Sequence, residues 1–396
     1  MMRKTLLVAV SLAALSSSFV LAQTDLVNRA RAIHRQTPLI DGHNDYPWAL
    51  RGLDPGRGFG AADISKPVPK LMTDIPRLRQ GGIGGQFWSV YVPASMQGQE
   101  AVRATLEQID IVHRMTMRWP ETFEIAYTAS DIERAFKAKR IGSLIGVEGG
   151  HSIDNSLATL RMLYTLGAQY MTLTHSANLA WADASPGPPV LGGLSKFGEE
   201  VVREMNRLGM LVDLSHVSPD TMEDALRVTA APVIFSHSSA KAICNVNRNV
   251  PDNVLQAVAK NGGVVMVTFV PGFISQAVAD FDAKPEAERK GITGPRATLS
   301  QVADHIDHIR KVAGIDHIGL GGDFDGISQV VQGLEDVSKY PDLTAELLKR
   351  GYKDDEVKKI LGLNVLRVMR QVEKVAAGLQ KTRQPSTATI EQLDGR

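Results

Sequence analysis

The sequence predicts an α/β fold, a closed parallel (β/α)8 barrel of the TIM type, on three observations. From residue 38 onward, short apolar runs alternate with longer amphipathic segments, the signature of repeated β/α units. Eight such runs can be placed, enough to close a barrel. A histidine or carboxylate follows the end of most of them, on the face where barrels of this kind gather their working residues.

The runs fall at 39–42, 83–92, 143–147, 170–174, 210–214, 233–236, 264–269 and 317–321. Between the third and fourth, 155–166 reads as a helix, because Leu157, Leu160, Leu163 and Tyr164 recur on one face, with Asp154 as its expected N-cap. Ser218 and Pro219 open a second helix that contains Met222, Ala225 and Leu226, since proline at the first helical position gives up no needed N–H. Pro251 and Asp252 introduce residues 254–259 in the same way. No repeat, low-complexity tract or linker interrupts 38–375, so residues 23–380 are expected to form a single barrel domain. Residues 381–396, rich in Thr, Gln and Ser, are expected to be mobile.

At the other end, Arg3 and Lys4 precede an apolar run from Leu6 to Leu15, and Val20-Leu21-Ala22 offers small residues before Gln23. Residues 1–22 therefore read as a signal peptide, with an apolar run shorter than the roughly 20 residues of a membrane span. The expected product is exported, periplasmic or secreted, with no stable membrane anchor. Its only cysteine, Cys244, forms no intramolecular disulfide, so stability must come from the core, bound metal or self-association. Lys and Arg number 44 against 43 acidic residues, without a long basic run, which gives no electrostatic footprint for nucleic acid and points to a small-molecule partner.

The polar residues at strand ends carry the chemistry. His43 and Asp45 follow the first run, Glu148 the third, His175 the fourth, His216 the fifth, His237 the sixth and Asp323 the eighth. Imidazoles and carboxylates are ligands for zinc or a similar divalent ion, and two ions sharing a carboxylate, roughly 3.5–4 Å apart, can clamp a hydroxide between them. His43 and Asp45 are two apart, which in extended chain directs both to one side. The remaining histidines read differently. His34, His113, His305 and His308 are expected on solvated faces, His151 in a loop-structuring role, and His317 at the start of a strand, on the wrong side of the barrel.

Seven blocks in order then show a resemblance: Asp41-Gly42-His43-Asn44-Asp45, Gly146-Val147-Glu148-Gly149-Gly150-His151, Leu173-Thr174-His175-Ser176, Asp213-Leu214-Ser215-His216-Val217-Ser218, Phe235-Ser236-His237-Ser238-Ser239, Asn247-Arg248-Asn249-Val250-Pro251-Asp252 and Gly321-Gly322-Asp323-Phe324-Asp325-Gly326. Over most of 38–375 the chain resembles the membrane (renal) dipeptidases of the metal-dependent amidohydrolase superfamily. The resemblance implies a zinc-dependent dipeptidase that cleaves free dipeptides with a metal-bridging hydroxide and forms a homodimer; whether it accepts a D-residue at the C-terminal position is left open by the sequence. It implies that His43, Asp45 and Glu148 bind one Zn2+ and that Glu148, His216 and His237 bind a second, with Glu148 as the bridge. It further implies that His175 faces the substrate carbonyl, Arg248 holds the terminal carboxylate, and Asp323 handles the proton; Asp325, two residues on and so directed to the same side of an extended strand, competes for that last role. A planar guanidinium suits a carboxylate on chemical grounds as well. The chain departs from the vertebrate members at Ala177, where they carry cysteine, and no lipid-anchor signal is found at its end. The loops 182–193 and 276–298 are expected to shape the substrate pocket.

Overall fold

The computed structural model describes residues 24–395 apart from 55 and 57, so the expected signal peptide lies outside the described residues. Nine parallel strands are present: β1 (Leu39–Asn44), β2 (Ile83–Ser89), β3 (Phe123–Ile125), β4 (Ile141–Glu148), β5 (Ala168–Thr172), β6 (Leu211–Asp213), β7 (Ile234–Phe235), β8 (Val264–Val267) and β9 (Ile318–Leu320). Eight of them close a TIM barrel in the order β1-β2-β4-β5-β6-β7-β8-β9, and pairing of Asp41 with Leu320 joins the last strand to the first. All eight predicted runs are barrel strands. The ninth, β3, was not predicted; it lies beside the first three residues of β4, while β5 pairs with the last four on the same edge.

The strands hold together because their residues are buried on both faces, as parallel barrels require. Every residue of β1, β2 and β4 is buried, charged Glu148 included. Inside, Ile40, Phe87, Leu144, Tyr170, Leu211 and Met266 form one apolar cluster with Leu366, Met369 and Val372 of the helix Asn364–Thr382. Gly146 makes room for the largest of these side chains. A Cβ at that position would lie 2.1 Å from the Tyr170 ring, so only glycine on β4 lets the ring of β5 cross the interior.

The helices follow their signals with two changes at their starts, one being that Pro251 is the N-cap of Asp252–Asn261 rather than its first helical residue. Ser218 caps Pro219–Val228 by accepting from the Thr221 N–H, as expected. The helix predicted from 155 starts later, at Leu157–Thr165, and its cap is Ser156, whose side chain accepts from the Thr159 N–H. Asp154 has φ +48°, a left-handed conformation that no N-cap adopts.

Two further expectations are corrected. Residues 381–395 are tied to the body: Ile390–Asp394 is a helix, Asp394 accepts from the Ser195 hydroxyl at 2.6 Å and the Phe197 N–H at 3.2 Å, and Arg161 donates to the Ser386 carbonyl. His34 and His305 are buried rather than solvated. His305 Nδ1 accepts from the Ala240 N–H, leaving Nε2–H to donate to the Ile274 carbonyl; His34 Nδ1–H donates to Gly81, leaving Nε2 to accept from Thr344. The His305 ring, whose Nδ1 must accept, is satisfied only when neutral. His113, half-buried, donates to the Leu166 carbonyl, and His308 pairs with Asp252.

Burial lowers the pKa of His34 and of His305 from 6.5 to about 4. Between those values the unfolded chain holds more protons than the folded one, so stability is fully present above pH 6.5 and declines as the pH falls toward 4. The expected loss is up to about 3 kcal/mol for each ring. Urea midpoints at pH 7 and pH 4.5 check this, and the H34Q/H305Q double variant should lose less between the two pH values than the parent chain.

Candidate metal centre

At the C-terminal mouth of the barrel, the end of β1 turns sharply into the helix Tyr46–Leu53. Asn44 makes the turn, accepting from the Tyr46 N–H and donating to Thr73. As the spacing predicts, His43 and Asp45 face each other, with Nε2 3.2 Å from Oδ2. Glu148, the last residue of β4, sits between two groups of imidazoles. Its Oε2 is 3.4 Å from His43 Nε2, and its Oε1 is 2.9 Å from His216 Nε2 and 3.5 Å from His237 Nε2. His175 Nε2 approaches the same Oε1 at 3.7 Å, and His216 and His237 bring their Nε2 atoms within 2.9 Å of each other.

These groups can hold metal ions. Ligand atoms of His43, Glu148 and His237 lie within 4.8 Å of one another, as do those of Glu148, His175 and His216, and those of His43, Asp45 and Asp323. His43 Nε2 and Asp45 Oδ1 are buried without a hydrogen-bond partner, which is unfavourable unless a cation meets them. The other ring nitrogens fix the tautomers. Tyr170 donates its hydroxyl proton to the Gly42 carbonyl, so its oxygen accepts from His43 Nδ1–H at 2.8 Å and His43 Nε2 keeps its lone pair. Ser236 donates to buried Asp213 at 2.6 Å and accepts from His237 Nδ1–H at 2.8 Å, with the same outcome.

The electrostatics agree. Burial would lower the His43 pKa, but Tyr170, Glu148 and Asp45 outweigh it and raise it well above the ordinary value, which marks Nε2 as a place that favours positive charge. Burial and the charge of Arg248 hold His216 well below the ordinary imidazole value, and burial with His43 does so for His237. Burial pushes the Glu148 carboxyl up, yet His43, His175 and the hydrogen bonds from His216 and His237 hold it well below the usual range. Asp323 behaves oppositely: burial, opposed by His43 and reinforced by Asp45 and Glu148, raises it well above that range.

Asp323 and Asp325 part company here. Both have left-handed backbones, φ +61° and +67°, so the alternation of an extended strand does not apply to them. Asp323 turns toward Asp45 and His43, whereas the Asp325 carboxylate accepts from the Met72 N–H at 2.6 Å. His216 is held at φ +68°, its carbonyl accepting from Ser185 N–H and the Thr174 hydroxyl. Such conformations cost about 1 kcal/mol or more and persist where surroundings enforce them.

Arg248 is buried beside the cluster. Its guanidinium donates to the Ser238 hydroxyl at 2.5 Å and the His237 carbonyl at 2.8 Å, lies 5.5 Å from the Phe273 ring centre, and leaves Nε unpartnered. Burial lowers its pKa to about 10, which keeps it cationic at neutral pH. No carboxylate pairs with it among the described residues. A cleft of about 420 Å³ opens over the cluster, lined by Asp45, Glu148, His175, His216 and Asp323 with Trp48, Tyr91, Phe273 and Ile327.

All the predicted site residues thus meet at one mouth. Sequence reasoning missed Tyr170, Ser236 and Asp213, which orient the rings; Ser236 and Asp213 were in plain view within the quoted blocks. His151 takes its expected structuring role, bonding the Val92 carbonyl, and His317 lies at the opposite end of the barrel, on the Gly263 carbonyl.

The fold is shared with solved structures. A probable dipeptidase, PvdM, from Pseudomonas aeruginosa superimposes with a TM-score of 0.80 at 23% identity, over 89% of this chain and 100% of that one. A metallo peptidase from Rhodobacter sphaeroides, liganded with a phosphinate mimic of the dipeptide L-Ala-D-Ala, gives 0.74 at 24% identity, over 85% and 99%. An amidohydrolase from Pseudomonas aeruginosa gives 0.70 at 24%, over 87% and 98%. At the level of sequence, residues 27–383 match the family model described as membrane dipeptidase, peptidase family M19. With a match over nearly the whole length and a buried donor set suited to metal ions, the chain belongs to the membrane dipeptidase family, metal-dependent hydrolases of the peptide bond.

Proposed function

We propose that the protein is a two-zinc dipeptidase acting on free dipeptides, D-residues at the C-terminal position included. One observation carries this reading: the two oxygens of buried Glu148 are divided between the His43–Asp45 side and the His216–His237 side. On it, His43 and Asp45 hold one ion, His216 and His237 hold the other, and Glu148 belongs to both. Zinc so bound lowers the pKa of water and polarises the scissile carbonyl.

The chain's own residues supply the rest. Arg248 binds the substrate's terminal carboxylate, since a buried guanidinium with a free N–H and no counter-ion favours a bidentate anion. His175, at the rim of the cleft, donates to the oxygen on which charge develops. Asp323 takes a proton from the attacking water and delivers it to the leaving amine. Acceptance of a D-residue is supported by the dipeptide mimic bound to the Rhodobacter sphaeroides metallo peptidase. Export with removal of residues 1–22, and a homodimer, belong to the same reading; no helix among the described residues is long and apolar enough to cross a membrane.

Hydrolysis of L,L and L,D dipeptides, and of the corresponding dipeptide amides, tests this before chelation, after it, and with zinc restored. Chelation should abolish cleavage, zinc should restore it, and the amides, which lack the carboxylate for Arg248, should be cut at least about a hundredfold more slowly. Dipeptide cleavage that survives complete metal removal would sink the proposal. Asp323→Asn should retain both ions by elemental analysis yet lose at least about a thousandfold in kcat, within the range of general acid–base contributions. Glu148→Gln should bind fewer than two ions per chain; normal loading would rule out a shared ligand.

A further inference from the structure

The cleft does not end at the metal centre. Beyond it lies a second chamber of about 300 Å³ that shares Val270, Phe273, Gly326 and Ile327 with the first. A third, of about 440 Å³, shares Pro271, Asp282, Ser328 and Gln329 with the second. The three chambers of this groove adjoin in series through these shared residues, which lie on the segment after β8 and the segment after β9.

Its direction relative to the substrate follows from Phe273, which lines both the first and second chambers and stands 5.5 Å from the Arg248 guanidinium. Given the dipeptidase reading, on which this inference rests, the residue whose carboxylate Arg248 holds lies against Phe273. The groove therefore begins at the C-terminal residue of the substrate.

Asp282 gives the groove its chemistry. It lines both outer chambers, and its carboxylate makes no hydrogen bond or ion pair to any described residue. It also ends the helix Gln276–Asp282, where the negative end of the macrodipole disfavours a carboxylate. Local structure thus gains nothing from this charge, and a cationic ligand would. Arg296 lines only the third chamber, farther out than the second chamber that Asp282 also lines.

We propose that the groove takes the side chain of the substrate's C-terminal residue and that Asp282 selects a long one ending in an ammonium group. The stem passes over Phe273 and Ile327, and the ammonium pairs with the carboxylate. The contact is solvent-exposed, so its effect is a preference of several-fold rather than an absolute requirement.

The test compares kcat/KM of the zinc-loaded enzyme for Ala-Lys and Ala-norleucine, whose stems match in length but not in charge, in whichever stereochemistry the dipeptide panel favours. The wild type should prefer lysine, Asp282→Asn should lower the lysine-to-norleucine ratio about fivefold, and Asp282→Lys should shift preference toward Ala-Glu. High salt should shrink the wild-type ratio. A ratio unmoved by Asp282→Asn overturns this inference and leaves the dipeptidase reading standing. Failure of the metal-loaded enzyme to cleave any dipeptide overturns both.

Discussion

The metal centre depends on the closure of the barrel, and closure rests on the pairing of the first strand with the last. One carboxylate spans the seam. Asp41 of β1 accepts from the N–H of His43 on its own strand and from Gly322, 281 positions later. Just above it, Asp323 N–H donates to the His43 carbonyl and Asp45 N–H to that of Phe324. The bonds that seal the ring are thus the bonds that bring His43, Asp45 and Asp323 together. A barrel left open at this seam would keep its other strands and lose three of its seven candidate ligands.

A second layer of order lies beneath the imidazoles. A histidine offers a lone pair at Nε2 only if Nδ1 holds the proton, and His43 and His237 meet this condition through an oxygen whose own proton is committed elsewhere. Tyr170 commits its proton to Gly42, and Ser236 commits its own to Asp213, which also accepts from Thr172. Asp213 in turn accepts from the backbone of Ser215 and Ser236, so it organises the ends of β6 and β7 as well as one ring. Polar side chains buried at such cost are retained where every member of the network is satisfied.

Much of this was legible in the sequence because the chemistry sits where strands end, and strand ends are marked by the change from apolar to polar residues. The barrel strands and the converging His43, Asp45, Glu148, His216 and His237 could be read in that way. β3 could not, since three residues, Phe123–Ile125, are too few to show alternation. The burial of His305 carried a signal that went unused: it shares a helical face with Val302, Ile306 and Ile309, all buried, and so belongs to the apolar side of its helix. The roles of Tyr170 and of the groove beyond Phe273 are tertiary facts, set by which strands and loops become neighbours, and no local pattern announces them.

The fastening of the chain's end has a consequence for biosynthesis. Asp394 completes the hydrogen bonding at the start of the helix Lys196–Leu208, some 199 positions upstream of it, and an open helix terminus is the part that frays first. A ribosome makes that helix long before it makes its fastener, just as it makes β1 long before β9. Both the seam and the strap therefore wait for residues translated long after the ones they fasten, and a nascent chain stays unsealed until those residues emerge.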